Sequence, residues 1–170
     1  LVEDMLTLAK LDERRPLDIR PVDLAQLARD AALDARAAWP TRTIIAEHLD
    51  DPVASVGDED RLRQVVTNGV GNALVHTDQE VAVPLRLTHT ATSALLDVED
   101  TGDGMPPEIV ERVTERFFRS DPARSRHRGG SGLGLAIVDA AMTAHGGHVT
   151  IDSEPGTGTT VHLEFPIAAG

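Results

Sequence analysis

Three groups of residues in this chain have types and spacings that suit chemistry. Asn68 and Asn72 stand four apart in an apolar-periodic run, so on a helix they share one side. Two amide oxygens placed this way suit a hard cation such as Mg2+, which takes oxygen ligands and keeps several waters. Two surface asparagines on a weak helix fit the pattern equally well. Asp100 closes an alternating apolar run, and Gly102 and Gly104 follow it. Its carboxylate suits an exocyclic amine, and the glycines leave backbone open for a flat ring to lie against. Alone, "DTGDG" also reads as an ordinary Asp-Gly turn.

The third group is Arg119, Arg124, Arg126 and Arg128, which lead into "GGSGLGL" at 129–135. The arginines form the most basic stretch of an acidic chain, either a solvated face or a lid over a polyphosphate. Glycines opening a helix are either a loop or a place where backbone N–H groups close on phosphate. The run is neither familiar phosphate fingerprint. No Gly-Lys-Ser/Thr follows, and Ile137 stands where the dinucleotide spacing, counted from Gly132, would need glycine.

The elements that must hold these residues can be read from periodicity. Residues 59–77 predict a helix capped by Asp58, with Leu62, Val65, Val66, Val70, Ala73 and Leu74 on its apolar face and the asparagines at the border. Gly69 and Gly71 inside it predict close packing there. A helix from Asp23 to about Trp39 opens with Asp23 and Gln26 as a capping box and stops at Pro40. Strands are expected at 41–49, after the turn at 50–58, at 80–90 and at 93–100, with Pro84 marking an edge or a bulge. "PPEIVERVTERFF" reads as a helix opened by prolines, and 133–145 as another. "HVTIDSE", "PGTG" and "TTVHLEFPI" form a hairpin. The mixture predicts an α+β fold, a two-layer sandwich whose mixed, largely antiparallel sheet is covered on one face by helices.

Composition narrows the partners. The net charge of −12, from 16 basic and 28 acidic residues, disfavours nucleic acid or an anionic membrane as a bulk partner. An anionic ligand then needs local cations, almost all of them arginine because Lys10 is the only lysine. Aromatics are limited to Trp39, Phe117, Phe118 and Phe165, so the core is built of aliphatic residues. The absence of cysteine excludes disulfides and thiolate metal sites. The chain opens on Leu1 within an apolar pattern, as expected of a piece of a longer protein.

The order of the motifs is more specific than any one of them. Paired Asn on a helix, D-x-G-x-G at a strand end, F-F-R, G-G-S-G-L-G-L and G-T-G-T in that succession resemble the ATP-binding catalytic domain of sensor histidine kinases. That domain belongs to the superfamily shared with gyrase, Hsp90 and MutL (the Bergerat fold). The resemblance covers roughly residues 20–167. It implies that Asn72 ligates Mg2+ with Asn68 assisting, that His76 lies beside adenine, and that Asp100 accepts from adenine N6 with Gly102 and Gly104 beneath the ring. It likewise implies an ATP lid over about 105–131 that includes Phe117, Arg119, Arg124, Arg126 and Arg128. Gly130, Ser131, Gly132, Leu133 and Gly134 would then accommodate the triphosphate. Residues 156–159 match a further glycine motif that, as a hairpin turn, is open to a purely structural reading.

The same resemblance makes 1–13 the end of a second dimerisation helix, 14–22 a linker, 23–167 the catalytic domain and 168–170 a tail. It implies as partners the protein's own dimerisation and histidine-phosphotransfer domain and a response regulator receiver domain. The parent would be a homodimeric membrane sensor with this domain in the cytoplasm. Two positions depart from the family pattern: Val75 replaces a basic residue beside His76, and Thr114 replaces a Phe. They favour the rival of a degenerate docking module, whereas Asn68 in place of a water-activating Glu weighs against a gyrase-type ATPase. A related Ser/Thr kinase of the superfamily is the other alternative.

None of the histidines, His48, His76, His89, His127, His145, His148 or His162, sits in a phosphoacceptor context. Incubated with labelled ATP, the chain should therefore carry no acid-labile phosphate on its own histidines; label on any one of them would contradict this reading.

Overall fold

The computed structural model describes residues 16–78, 80–116, 118 and 133–167. The expected dimerisation helix at 1–13, the tail at 168–170 and the whole arginine loop at 119–130 lie outside them. The first described element is strand β1, Arg20–Asp23, which overlaps the end of the expected linker. It pairs antiparallel with β3, Ala54–Gly57, to form a small two-stranded sheet.

Helix α1, Leu24–Ala38, is capped by Asp23, whose Oδ1 accepts from Ala25 N at 3.0 Å and also from Val53 N at 3.1 Å. The reciprocal half of the expected capping box is missing. The Gln26 side chain donates to Asp30 at 2.6 Å instead, because Arg29 and Asp30 offer it partners one turn on. Helix α2, Glu59–His76, starts at Asp58 and buries Leu62, Val65, Val66, Val70, Ala73 and Leu74. It packs between α1 and α4, Gly134–Ala144. A histidine ties the start of α2 to the end of α4: His145 Nδ1 donates to Ala141 O at 2.7 Å, and its Nε2 accepts from Asp58 N at 3.0 Å.

The main sheet runs β2-β4-β5-β7-β6, with β2 at Ile44–Glu47, β4 at Val83–His89, β5 at Ser93–Asp100, β6 at His148–Glu154 and β7 at Gly158–Pro166. Among the described residues β2 and β4 alone pair parallel; the other pairs of this sheet are antiparallel. Val83, Leu85, Leu87, Ala94, Leu96, Val98, Val161, Leu163 and Phe165 are buried beneath the helices. The alternate residues form the polar outer face, where Arg86 meets Glu47 at 2.8 Å and His162 bridges Asp97 and Asp152 at 2.6 and 3.2 Å. This is the expected two-layer, largely antiparallel sandwich, with a core that is aliphatic except for Phe165.

Three local expectations need correction. Pro84 lies in an inner strand, opposite Ile45 of β2, but the register with β5 begins only at Leu85, so its missing N–H breaks no bond on that side. The helix expected from 106 is only α3, Pro107–Val110, none of it buried. Beyond it the turns are held by i→i+3 bonds such as Arg112 N to Ile109 O, since a helix gains most of its stability from an apolar face it can bury. Gly71 has nothing within 4 Å of a built Cβ, and Gly69 only ordinary contacts with Leu163 and Val98, so close packing does not account for either.

Asp23 satisfies donors from two elements at once. Asp23→Ala should lower unfolding free energy by about 1–2 kcal/mol, read from urea denaturation; an unchanged midpoint would remove the cap from the account.

Candidate functional site

Strand β5 ends at Asp100, a residue only 7% exposed, opposite Thr159 of β7. Its Oδ1 accepts from Gly102 N at 2.9 Å. Burial pushes the Asp100 pKa above the ordinary carboxylate value. The backbone N–H groups of Gly102 and Thr159 and the charge of Arg42 pull it back without cancelling the rise, to which Glu99 adds a little. Little water can reach this acceptor, so a donor brought by a ligand would gain more from it than from an exposed carboxylate.

Backbone-on-backbone packing fixes the loop that follows. Gly158, at φ +129, approaches so closely that a Cβ there would lie 2.1 Å from Asp100 O. Gly104, at φ +64, would place a Cβ 1.9 Å from Glu154 O. Gly156 N donates to Asp103 O at 2.8 Å, and Met105 N to Ser153 Oγ at 2.8 Å. The β6–β7 turn thus clamps residues 101–105, and the structural reading of the glycines at 156–159 accounts for Gly158. It also accounts for Gly104, which the turn demands and which does not line the cleft beside it.

That cleft, about 260 Å³, is lined by His76, Thr77, Asp78, Val81, Thr101, Gly102, Asp103 and Gly156. His76 is exposed at the end of α2. Buried Thr77 follows it, its Oγ1 donating to Ala73 O at 2.7 Å. Arg42, 7% exposed, donates from Nη1 to Leu74 O at 3.3 Å and Thr77 O at 2.9 Å, and from Nη2 to Thr77 Oγ1. Sequence reasoning passed over Arg42, Thr77 and Thr159. The two threonines directly follow or sit within quoted motifs, whereas nothing in "TRT" at 41–43 marks Arg42.

His76 and Gly102 therefore meet in one cleft, with Asp100 behind Gly102. Asn68 and Asn72 are half-buried earlier on α2 and do not line it. Asn68 Nδ2 is fully buried and has no hydrogen-bond partner among the described residues, a donor open to an acceptor from outside them. Gly134 is the first residue of α4, preceded by fully buried Leu133, whose side chain cannot cap the helix. Phe117, Arg119, Arg124, Arg126, Arg128, Gly130, Ser131 and Gly132 lie outside the described residues. Phe118 is described, with the Arg112 guanidinium 4.6 Å from its ring centre.

Residues 57–169 match the family of histidine kinase-, DNA gyrase B-, and HSP90-like ATPases. A probable sensor histidine kinase of Mycobacterium tuberculosis, TcrY, is 47% identical over 92% of this chain and 33% of its own length. The structure of the mycobacterial sensor histidine kinase MprB superposes with a TM-score of 0.74 and 31% identity, over 86% of this chain and 96% of that one. Full-length ShkA in complex with AMPPNP gives a TM-score of 0.82 and 32% identity, over 99% of this chain and 36% of that one. The chain spans about a third of the length of the curated relatives it matches.

The raised pKa of Asp100 has a signed consequence. The native state holds this proton more tightly than the unfolded chain, so ionisation costs stability as pH climbs from the ordinary carboxylate value through the raised one. Across that window the wild type should lose stability relative to Asp100→Asn as pH rises, in paired urea titrations. A pH-independent difference would show that burial does not set the charge of Asp100.

Proposed function

We propose, from the premise that the chain belongs to the histidine kinase-, DNA gyrase B- and HSP90-like ATPase family, that it holds Mg·ATP for phosphoryl transfer to a histidine on an upstream dimerisation domain. In the full-length protein the phosphoryl group would pass on to a response regulator receiver domain. The observation that carries this reading is the buried Asp100 bonded to Gly102, which lines a cleft large enough for an aromatic base. The names of the relatives support the kinase assignment, and the AMPPNP complex of ShkA supports the nucleotide.

Each residue contributes by placement. Asp100 takes the exocyclic amine of adenine, while Gly102 and His76 border the ring. Among the described residues no group of three His, Asp or Glu could hold a metal alone. A Mg2+ ion at Asn72 would draw its remaining ligands from phosphate and water, as this ion commonly does. The two amides and the orphan donor of Asn68 fit that arrangement. Once bound, the cation supplies charge neutralisation on the phosphates. The glycines up to Gly134, at the N-terminus of α4, and the arginines of 119–128 are assigned to the phosphates and the lid. Transfer then depends mainly on positioning and electrostatics.

No described helix is long and apolar enough to cross a membrane. Attachment of the full-length protein to a membrane, and its dimerisation, belong to the same proposal.

Calorimetric titration with a non-hydrolysable ATP analogue tests the reading. Binding should tighten with Mg2+ in the wild type, weaken strongly in Asp100→Asn, and lose its Mg2+ dependence in Asn72→Ala. No heat at millimolar ligand would overturn it in favour of a docking module.

A further inference from the structure

We propose that Arg42 is the positioning residue of the adenine end of the cleft, binding the last turn of α2 and Thr77 into one unit and thereby fixing the wall that faces Gly102. The inference rests on the nucleotide reading above, but its residue belongs to none of the motifs that led there. Arg42 precedes β2, far in sequence from α2, and reaches the end of that helix from inside the fold.

A helix leaves its last carbonyls without intrahelical partners. Here two of them are bound by a single device. The Thr77 hydroxyl donates to Ala73 O at 2.7 Å, and Arg42 Nη1 donates to Leu74 O at 3.3 Å. The same guanidinium holds Thr77 at two points, donating from Nη1 to its carbonyl at 2.9 Å and from Nη2 to its hydroxyl. A cation at the negative end of a helix is favourable in itself, and more so when partly removed from water. The planar fork is what a lysine cannot reproduce, since a point charge on a flexible stem does not span several acceptors in fixed geometry.

Thr77 lies close to Gly102 on its other side. A Cβ on Gly102 would lie 2.8 Å from Thr77 Cγ2 and 3.0 Å from Asp100 Oδ1. Movement of Thr77 therefore changes the space beside Gly102, whose N–H is bonded to Asp100. The positive charge of Arg42 also favours the ionised form of Asp100. Position and charge act together on one acceptor, so the effect belongs in base recognition as well as in stability.

The test compares calorimetric affinities for ADP and for inosine diphosphate, which carries a carbonyl in place of the exocyclic amine. Wild type, Thr77→Val, Arg42→Lys and Arg42→Met are measured, together with the Arg42→Met/Thr77→Val double variant. Thr77→Val keeps the methyl against Gly102 and removes the hydroxyl, so it carries the test if Arg42→Met does not fold. The preference of the wild type for ADP should fall by about tenfold in Arg42→Met and in Thr77→Val, about the worth of one hydrogen bond in a buried site. The double variant should lose little more, and Arg42→Lys should restore only part. A merely structural role would weaken both nucleotides alike and leave the ratio intact, which would overturn the proposal. A wild type that binds both nucleotides equally would overturn the adenine reading itself, and the assignment of Arg42 with it.

Discussion

A carboxylate held out of water at the end of a strand is the constraint on which the rest of this structure depends. Asp100 is a costly residue to bury, and burial raises its pKa even with the Gly102 and Thr159 N–H groups turned towards it. Removing a charge from water is unfavourable unless something compensates. The fold offsets it with those N–H groups and the charge of Arg42, and close backbone contacts hold the surrounding turns together. The glycine at 158 lets one strand press on Asp100 O, and the glycine at 104 lets the following loop press on Glu154 O. A side chain at either position would force the two turns apart and open the seat to solvent.

The helical layer serves the same end from the other side. α2 brings Asn68, Asn72 and His76 along one element, and its final turn places Thr77 against Gly102. Its beginning is set by Asp58 and His145, and its end by Thr77 and Arg42. Both ends are thus tied to other parts of the chain, which fixes the helix along its axis as well as against the sheet. The groups that would recognise a base then sit at or just beyond the ends of α2 and β5. The arginines and glycines assigned to the phosphates lie mostly in 119–132.

Much of this was legible in the sequence because it is local. The 3.6-residue apolar period of 59–77 and the two-residue alternation around "PGTG" each identify an element without reference to the rest of the chain. Asp100 was legible only through the order of the motifs, since a strand-end Asp before Gly-Asp-Gly is by itself a turn. What escaped is non-local. The parallel docking of β2 on β4 is chosen by tertiary packing, and so is the tolerance of Pro84 inside the sheet. The helix expected after Pro106 stopped within four residues, none of them buried, and only Val113 beyond it packs partly against the core. The explanation of Gly104 changed from room for a ring to contact with a neighbouring turn, which only the folded backbone reveals. Arg42 left no signal, for an arginine between two threonines before a short strand looks like surface.

The central claim is that the buried carboxylate and the cleft in front of it form a seat for adenine. The most direct measurement is a map of backbone amide chemical shifts on addition of a non-hydrolysable ATP analogue with Mg2+. The account predicts that the largest changes fall on Thr77, Thr101, Gly102 and Thr159, around Asp100. Changes confined to other surfaces, such as the groove between α1 and β2 near Leu33 and Leu49, with these four amides unmoved, would contradict it.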